Sequence, residues 1–103
     1  MYKIQYLPLA LDDLKCLTNY ITNELEAPLA AEKLVEKINT EILKISENPF
    51  RCHIYFSPVK LKYDYRILNV NNYSIFYVIE KEKIEIHRII YSKRDILTML
   101  NEN

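Results

Sequence analysis

Apolar positions in this chain follow two different spacings, one in the first half and another in the last third. Ala10, Leu14, Leu17, Ile21 and Leu25 recur at helical intervals, which predicts an amphipathic helix over 9–25 with one buried face. Glu26-Ala27-Pro28 interrupts it, and Pro28 suits the first turn of a second helix, where the missing N–H does no harm. Ala31, Leu34, Val35, Ile38, Ile42 and Ile45 then form a stripe opposite Glu32, Lys33, Glu36, Lys37 and Glu41, carrying that helix to Ser46. The two helices predict an antiparallel hairpin.

From Tyr65 the period becomes two. Runs over 65–70, 73–79 and 83–91, rich in Ile, Val and Tyr, predict three strands with turns at Asn71-Asn72 and Lys81-Glu82. In a chain without glycine, asparagine is the residue best able to take the positive φ of a tight hairpin. Ile75 to Ile79 is apolar at every position, so this run belongs in the middle of the sheet, one face on the helices and the other partly covered or used for binding. Tyr2 to Leu7, ending at Pro8, predicts a short first strand, and 94–100 a short last helix. The stretch up to Tyr63 has two prolines and no clean period, and reads as a connection with one short edge strand. The expected class is α+β: an N-terminal strand, then an antiparallel helix hairpin packed on a three- to four-stranded antiparallel sheet, then a short C-terminal helix, in one domain spanning 1–103.

Composition narrows the chemistry. Half of the residues are apolar and 27% are charged, as in a folded globule and not a disordered tail. No window holds the ~20 apolar residues of a bilayer span, and the first residues lack a basic stretch followed by an apolar one, so a cytoplasmic protein with no membrane partner is expected. The absence of glycine removes phosphate-cradling loops, and with them nucleotide cofactors. Cys16 and Cys52 have no CxxC partner and read as reduced packing residues; no metal, disulfide or other cofactor is indicated.

The net charge of zero conceals a division. Residues 1–50 carry five Lys or Arg against eight Asp or Glu, whereas residues 51–103 carry nine against six. Arg51, Lys60, Lys62 and Arg66 surround one acid, Asp64, and Arg88, Lys93 and Arg94 face only Asp95. The sheet face away from the acidic hairpin is therefore expected to present the positive side chains, either as an anion-facing surface or as ordinary solvated charge.

Leu14, Tyr20, Ala30-Ala31 and Asn48-Pro49 come first. The series Tyr65-Arg66-Ile67-Leu68-x-Val70-x-Asn72-Tyr73-x-Ile75-x-Tyr77 follows, then Ile86-x-Arg88-Ile89-Ile90-Tyr91-Ser92-Lys93-Arg94-Asp95. In this order the chain resembles, end to end, the RelE/ParE superfamily of type II toxins. The resemblance implies a growth-inhibiting toxin, of the kind linked to plasmid stabilisation, that a cognate antitoxin protein holds inactive. It also implies a target, DNA gyrase in ParE-like members or, alternatively, the ribosome and its mRNA in RelE-like endoribonucleases. A decayed toxin that only binds its antitoxin is a third alternative.

Metal-free RNA cleavage needs a proton acceptor for the 2′-hydroxyl and cations for the developing phosphorane charge. Carried over by position, the resemblance assigns such roles to Arg66 and Arg94, with Tyr91 standing where relatives have His and His87 as a possible helper. Two further basic positions of the nuclease pattern are Leu68 and Ser74 here, which favours the ParE-like branch. For that branch the expected partner-binding residues are Arg66, Arg88, Lys93 and Arg94, converging on one patch. Each has a plain structural reading beside the functional one. Arg66 suits a phosphate or a cross-sheet pair with Glu85; Arg88 an ion pair with an acidic neighbour or the antitoxin; His87 and His53 simple packing or surface positions. Lys93 and Arg94 are expected to open the last helix, against its dipole. Tyr63, Tyr65, Tyr73, Tyr77 and Tyr91 suit base stacking, or half-buried sheet packing.

Overall fold

The computed structural model describes residues 1–101. Strand β1 (Lys3–Tyr6) leads into helix α1 (Pro8–Asn19), and α2 (Pro28–Glu47) returns across the same sheet face. A single 3₁₀ turn, Pro49–Arg51, opens the connection to β2 (Arg66–Val70), β3 (Tyr73–Glu80), β4 (Lys83–Tyr91) and a short α3 (Ile96–Leu100). The strand order is β1-β4-β3-β2. The last three strands form the expected antiparallel meander, with β3 inside. β1 joins it in parallel along β4, from Lys3 beside Lys83 to Tyr6 beside Ile86, so the four-stranded sheet is mixed. Parallel pairing follows because two helices, and not a tight turn, separate β1 from the rest of the sheet.

Both faces of β3 are buried, for different reasons. Toward the hairpin, Ile75 and Tyr77 pack with Leu68, Val70, Ile84, Ile86 and Ile89 under Leu17, Ile21, Leu34, Ile38, Ile42 and Ile45. On the other face Phe76 and Val78 pack with Tyr65, Ile90 and Leu100, and Tyr55, Leu61, Tyr63, Ile96 and Met99 close over them. The face expected to present positive charge is thus apolar and roofed by the chain's own connection and last helix. Exposing it to a partner would leave Phe76 and Val78 in water, at about 2 kcal/mol for each large side chain.

Other boundaries also move. The first helix gives way at Tyr20 to a wider turn over Tyr20–Glu24, where the Leu25 N–H donates to the Tyr20 carbonyl at 3.1 Å, five residues back. The connection forms no edge strand, only an isolated antiparallel bridge between Ile54 and Arg66. The last helix starts at Ile96, capped by Asp95, whose carboxylate accepts from the Thr98 N–H and hydroxyl. Lys93 and Arg94 therefore precede the cap and do not oppose the helix dipole. Among the described residues no helix is long and apolar enough to cross a membrane.

Both hairpin turns fall where the sequence predicts them, with φ of 53° at Asn71 and 57° at Lys81. Asparagine tolerates that region; lysine pays its Cβ clash. Lys81→Gly is expected to stabilise the fold by about 0.5–1 kcal/mol, the relieved strain less the extra chain entropy of glycine. The urea midpoint at unchanged slope measures it.

Candidate functional site

β4 carries an irregularity that organises its outer end. Tyr77 pairs with Ile86 but Phe76 pairs with Arg88, leaving His87 as the extra residue of a bulge. β1 ends here as well: the Leu7 N–H makes its last bond, to the Ile86 carbonyl at 3.0 Å. Past that point α1 covers the strand edge with a carboxylate. Asp13 Oδ2 accepts from the Ile89 N–H at 2.9 Å and from Arg88 Nε at 2.8 Å, while Arg88 Nη2 donates to Asp13 Oδ1 at 3.0 Å. Arg88 Nη1 donates in turn to the Met99 carbonyl at 2.7 Å. At 3% exposure, Arg88 clamps α1, β4 and α3 together. It is not the accessible partner contact the sequence suggested, because a fork of donors satisfied inside the fold has little left to offer outside.

His87 is buried too, edge-on to Tyr63 and Tyr65 at centroid distances of 4.8 and 5.3 Å. Its Nε2 lies 3.3 Å from Glu85 Oε1 and its Nδ1 3.4 Å from the Tyr65 hydroxyl. Glu85 does lie against the ring, as expected, but the ring itself is buried beneath Tyr63 and Tyr65 and is not presented at the surface. Burial lowers the imidazole pKa below its ordinary value, with Glu85 opposing more weakly. In the unfolded chain the imidazole takes up a proton near pH ~6.5, whereas in the fold it does so only at lower pH. Stability is accordingly expected to fall as pH drops from 7 through that window. His87→Phe should flatten this slope, as read from urea midpoints across pH.

Arg66 lies elsewhere. It shares the helix-side face with Tyr77, its register partner, whereas Glu85 lies beside Val78 on the opposite face, so the cross-sheet pair is not formed. Instead Nη1 donates to the Cys52 carbonyl at 2.6 Å and the guanidinium covers the Phe50 ring at 5.0 Å. Leu68 is buried in the helix-side core. Ser74 is buried as well, its hydroxyl donating to Asn69 Oδ1 at 2.9 Å and lying 2.8 Å from Ser92 Oγ. Both positions, basic in the nuclease pattern, serve packing here.

Tyr91, Lys93 and Arg94 form a second locus at the opposite end of the strands. The Ser92 N–H donates to the Asn72 carbonyl and the Arg94 N–H to the Tyr91 carbonyl, turning the chain tightly after β4. Tyr91 meets Tyr73 edge-on at 5.6 Å. Burial raises the Tyr73 pKa first, and Tyr91 and Tyr20 raise it further while Arg94 opposes. Tyr20 is 53% and Tyr91 37% exposed, and Lys93 and Arg94 are exposed as well. Tyr20 was not singled out as a site residue; it opens the wide turn after α1, and only its electrostatic effect on Tyr73 links it to this end of the sheet.

These two loci do not converge. Arg66 and Tyr77 stand in one rung of the ladder and Val70, Tyr73 and Tyr91 in another, four residues along β3. At ~3.3 Å per residue the rungs are about 13 Å apart, and Arg94 sits in the turn that follows the farther one. Of the five tyrosines considered for stacking, Tyr65 and Tyr77 are buried and Tyr63 packs on His87, which leaves Tyr73 and Tyr91 at the corner.

Comparison with known proteins agrees with this fold. The family of the ParE toxin of type II toxin–antitoxin systems, parDE, matches residues 4–96. The chain belongs to that family. Among solved structures it is similar to a chain of the chromosomal ParDE toxin–antitoxin system from P. aeruginosa, at 20% identity and a TM-score of 0.74, over 90% of this chain and 98% of that one. It is also similar to a chain of the RelB–RelE antitoxin–toxin complex from Methanococcus jannaschii, at 18% identity and a TM-score of 0.50, over 91% and 95%. No curated protein matches the sequence. The protein is a type II toxin of the RelE/ParE superfamily.

Proposed function

We propose that this toxin is held by a cognate antitoxin and, once free, arrests growth by binding DNA gyrase through the corner of Tyr20, Tyr73, Tyr91, Lys93 and Arg94, without cleaving RNA. The observation that carries this reading is the separation of Arg66 from Arg94. In-line attack of a 2′-hydroxyl needs its proton acceptor and its cations around one phosphate, within hydrogen-bond reach of it. Groups starting about 13 Å apart along the strands, one of them engaged by a carbonyl and an aromatic ring, are poorly arranged for that. The buried His87 and the packing roles of Leu68 and Ser74 point the same way. A half-exposed group of tyrosines beside two cations, held on a rigid strand end, has instead the composition of a protein-binding hot spot. An antitoxin partner is supported by family membership and by similarity to chains of ParDE and RelB–RelE systems.

The test is induction of the toxin in growing cells with two parallel readouts, plasmid supercoiling with gyrase trapped on DNA, and mRNA breaks at ribosomal A sites. Trapped gyrase with intact message is expected. Message cleavage with normal supercoiling would assign the nuclease reading, and normal growth on induction would assign a decayed toxin.

A further inference from the structure

The connection from the 3₁₀ turn to β2 carries none of the residues proposed to meet gyrase, yet its surface combines positive charge with exposed rings. From Asn48 through Tyr63 the chain contains no acid, with Glu47 and Asp64 standing just outside, and Arg51, Lys60 and Lys62 fall within it. All three cations are exposed. Among the described residues none of them takes part in an ion pair; those formed join Lys44 to Glu41, Lys83 and His87 to Glu85, and Arg88 to Asp13. Arg51 is near enough to Glu41 to help lower its pKa, but that carboxylate is already bound by Lys44 at 2.8 Å. The segment is therefore a local source of positive potential that draws anions.

The rings are as conspicuous as the charges. Phe56 is 84% and Phe50 58% exposed. His53 is exposed too, and its ring lies nearly parallel to that of Phe56, with 14° between the planes and 6.5 Å between centroids. Arg66 covers one face of Phe50 at 5.0 Å while its Nη1 donates to the Cys52 carbonyl, so a guanidinium that is itself held fixes the position of that ring. The same connection turns Tyr55, Leu61 and Tyr63 inward onto the second sheet face. Rings left in water on a segment that buries its neighbours mark an interaction site.

Flat apolar faces interleaved with cations suit a polymer that alternates flat bases with phosphates. In a duplex the bases are already stacked on one another, so exposed rings select an unpaired strand. A lipid surface would instead be met by apolar tips projecting together beyond a rim of cations, whereas here Phe50 adjoins Arg51, and Lys60 and Lys62 follow closely on Phe56. A second copy of the chain would bring the same cations to the interface, where like charges repel.

Resting on the reading of DNA gyrase as the target, we infer that the connection over 50–62 binds single-stranded DNA, with phosphates on Arg51, Lys60 and Lys62 and bases stacked on Phe56 and Phe50. The contacts are to backbone and to base faces, so they carry little sequence preference, and no bond is broken. This surface lies at the Arg66 end of the strands, through the contacts of Arg66 with Phe50 and Cys52, whereas Tyr91 and Arg94 lie at the other end. The separation that disfavours a nuclease thus leaves room for two partners at once. Gyrase is held at one end and a strand of its DNA at the other, each contact raising the effective concentration for the second.

The experiment titrates the full chain into a fluorescent oligothymidylate, and into the matching oligouridylate, with anisotropy read across a range of salt; supercoiling by gyrase is followed in parallel with the same proteins. For the DNA a Kd on the order of 10 μM is expected at low salt, with a slope of about −2 in log K against log salt for three phosphate contacts. Lys60→Glu with Lys62→Glu should weaken binding by about 30-fold at low salt and reduce the slope to that of about one contact. Phe56→Ala should weaken it by about tenfold with the slope unchanged, which separates stacking from charge. Lys3→Glu with Lys33→Glu, of equal charge change on β1 and α2, should stay within about twofold. The charge reversal at 60 and 62 should also raise the toxin concentration needed to inhibit gyrase by about fivefold. Wild-type affinity in both the charge and the Phe56 variants would overturn the site. Oligouridylate bound about tenfold more tightly than oligothymidylate would overturn it in favour of an RNA surface. No oligonucleotide binding by a chain that inhibits gyrase would overturn it and leave the gyrase reading intact, and if the charge variant then inhibited less well the surface would belong to gyrase itself. Binding with the expected slope by a chain that leaves gyrase untouched would uphold the site and overturn the target reading. Failure of both assays would overturn both.

Discussion

Asp13→Ala is expected to lower the unfolding free energy by about 3–5 kcal/mol, the range for breaking a buried charge pair by removing one partner. The carboxylate accepts from two Arg88 nitrogens and from the Ile89 amide at once, and the last of these has no ladder partner because β1 has already ended. Alanine takes the counter-charge from a buried guanidinium and the acceptor from a backbone N–H in the same step. Asp12→Ala, one residue earlier and exposed, should change stability by less than about 0.5 kcal/mol. Urea unfolding of the two variants makes the comparison. Because Arg88 also donates to the Met99 carbonyl, the amides of α3 should exchange faster in Asp13→Ala than global unfolding explains. Equal effects of the two substitutions would remove Asp13 from this role.

Tyr91→Ala with Arg94→Ala is expected to abolish growth arrest while leaving the thermal midpoint and antitoxin binding close to wild type. Truncation of a central aromatic or arginine hot spot costs about 2 kcal/mol or more of binding, so two together would weaken a gyrase complex by roughly 1,000-fold if they act independently. Stability should change little because Arg94 is exposed and Tyr91 packs mainly on Tyr73 at the rim. Arg66→Ala serves as the contrast: it should leave gyrase inhibition intact. A toxin as potent with both corner residues removed as with them present would exclude the corner as the gyrase contact. Loss of toxicity in Arg66→Ala alone would move the target surface to the other end of the strands.

Local regularities were legible before any coordinates. The stripe from Ala31 to Ile45 allows only one face of α2 to be buried, and Ile45 is indeed as buried as Ile38. The alternation after Tyr65 and the asparagines at 71 and 72 place the meander and its first turn, and five consecutive apolar residues place β3 between two layers. The site was less legible. Arg66, Arg88 and Arg94 look alike in a sequence, yet one lies over Phe50, one is sealed against Asp13 and one stands free beside Tyr73. A cation's availability depends on what the rest of the chain brings to it, and Asp13 is 75 residues from Arg88. The bulge at His87 left no mark either, because an extra residue in β4 shows only when its partner β3 is laid alongside.

Periodicity by itself determined the elements, their order and the class of fold, since these depend on neighbours three, four or two positions away, while the family likeness rested on particular residues such as Tyr65-Arg66, Asn72-Tyr73 and Lys93-Arg94-Asp95. Tertiary structure alone decided that β1 runs parallel to β4, that the connection and α3 roof the second sheet face, and which cations remain in water. Those outcomes follow from contacts between residues far apart in the chain, where the burial of one group is set by the shape of another, and no local pattern encodes that pairing.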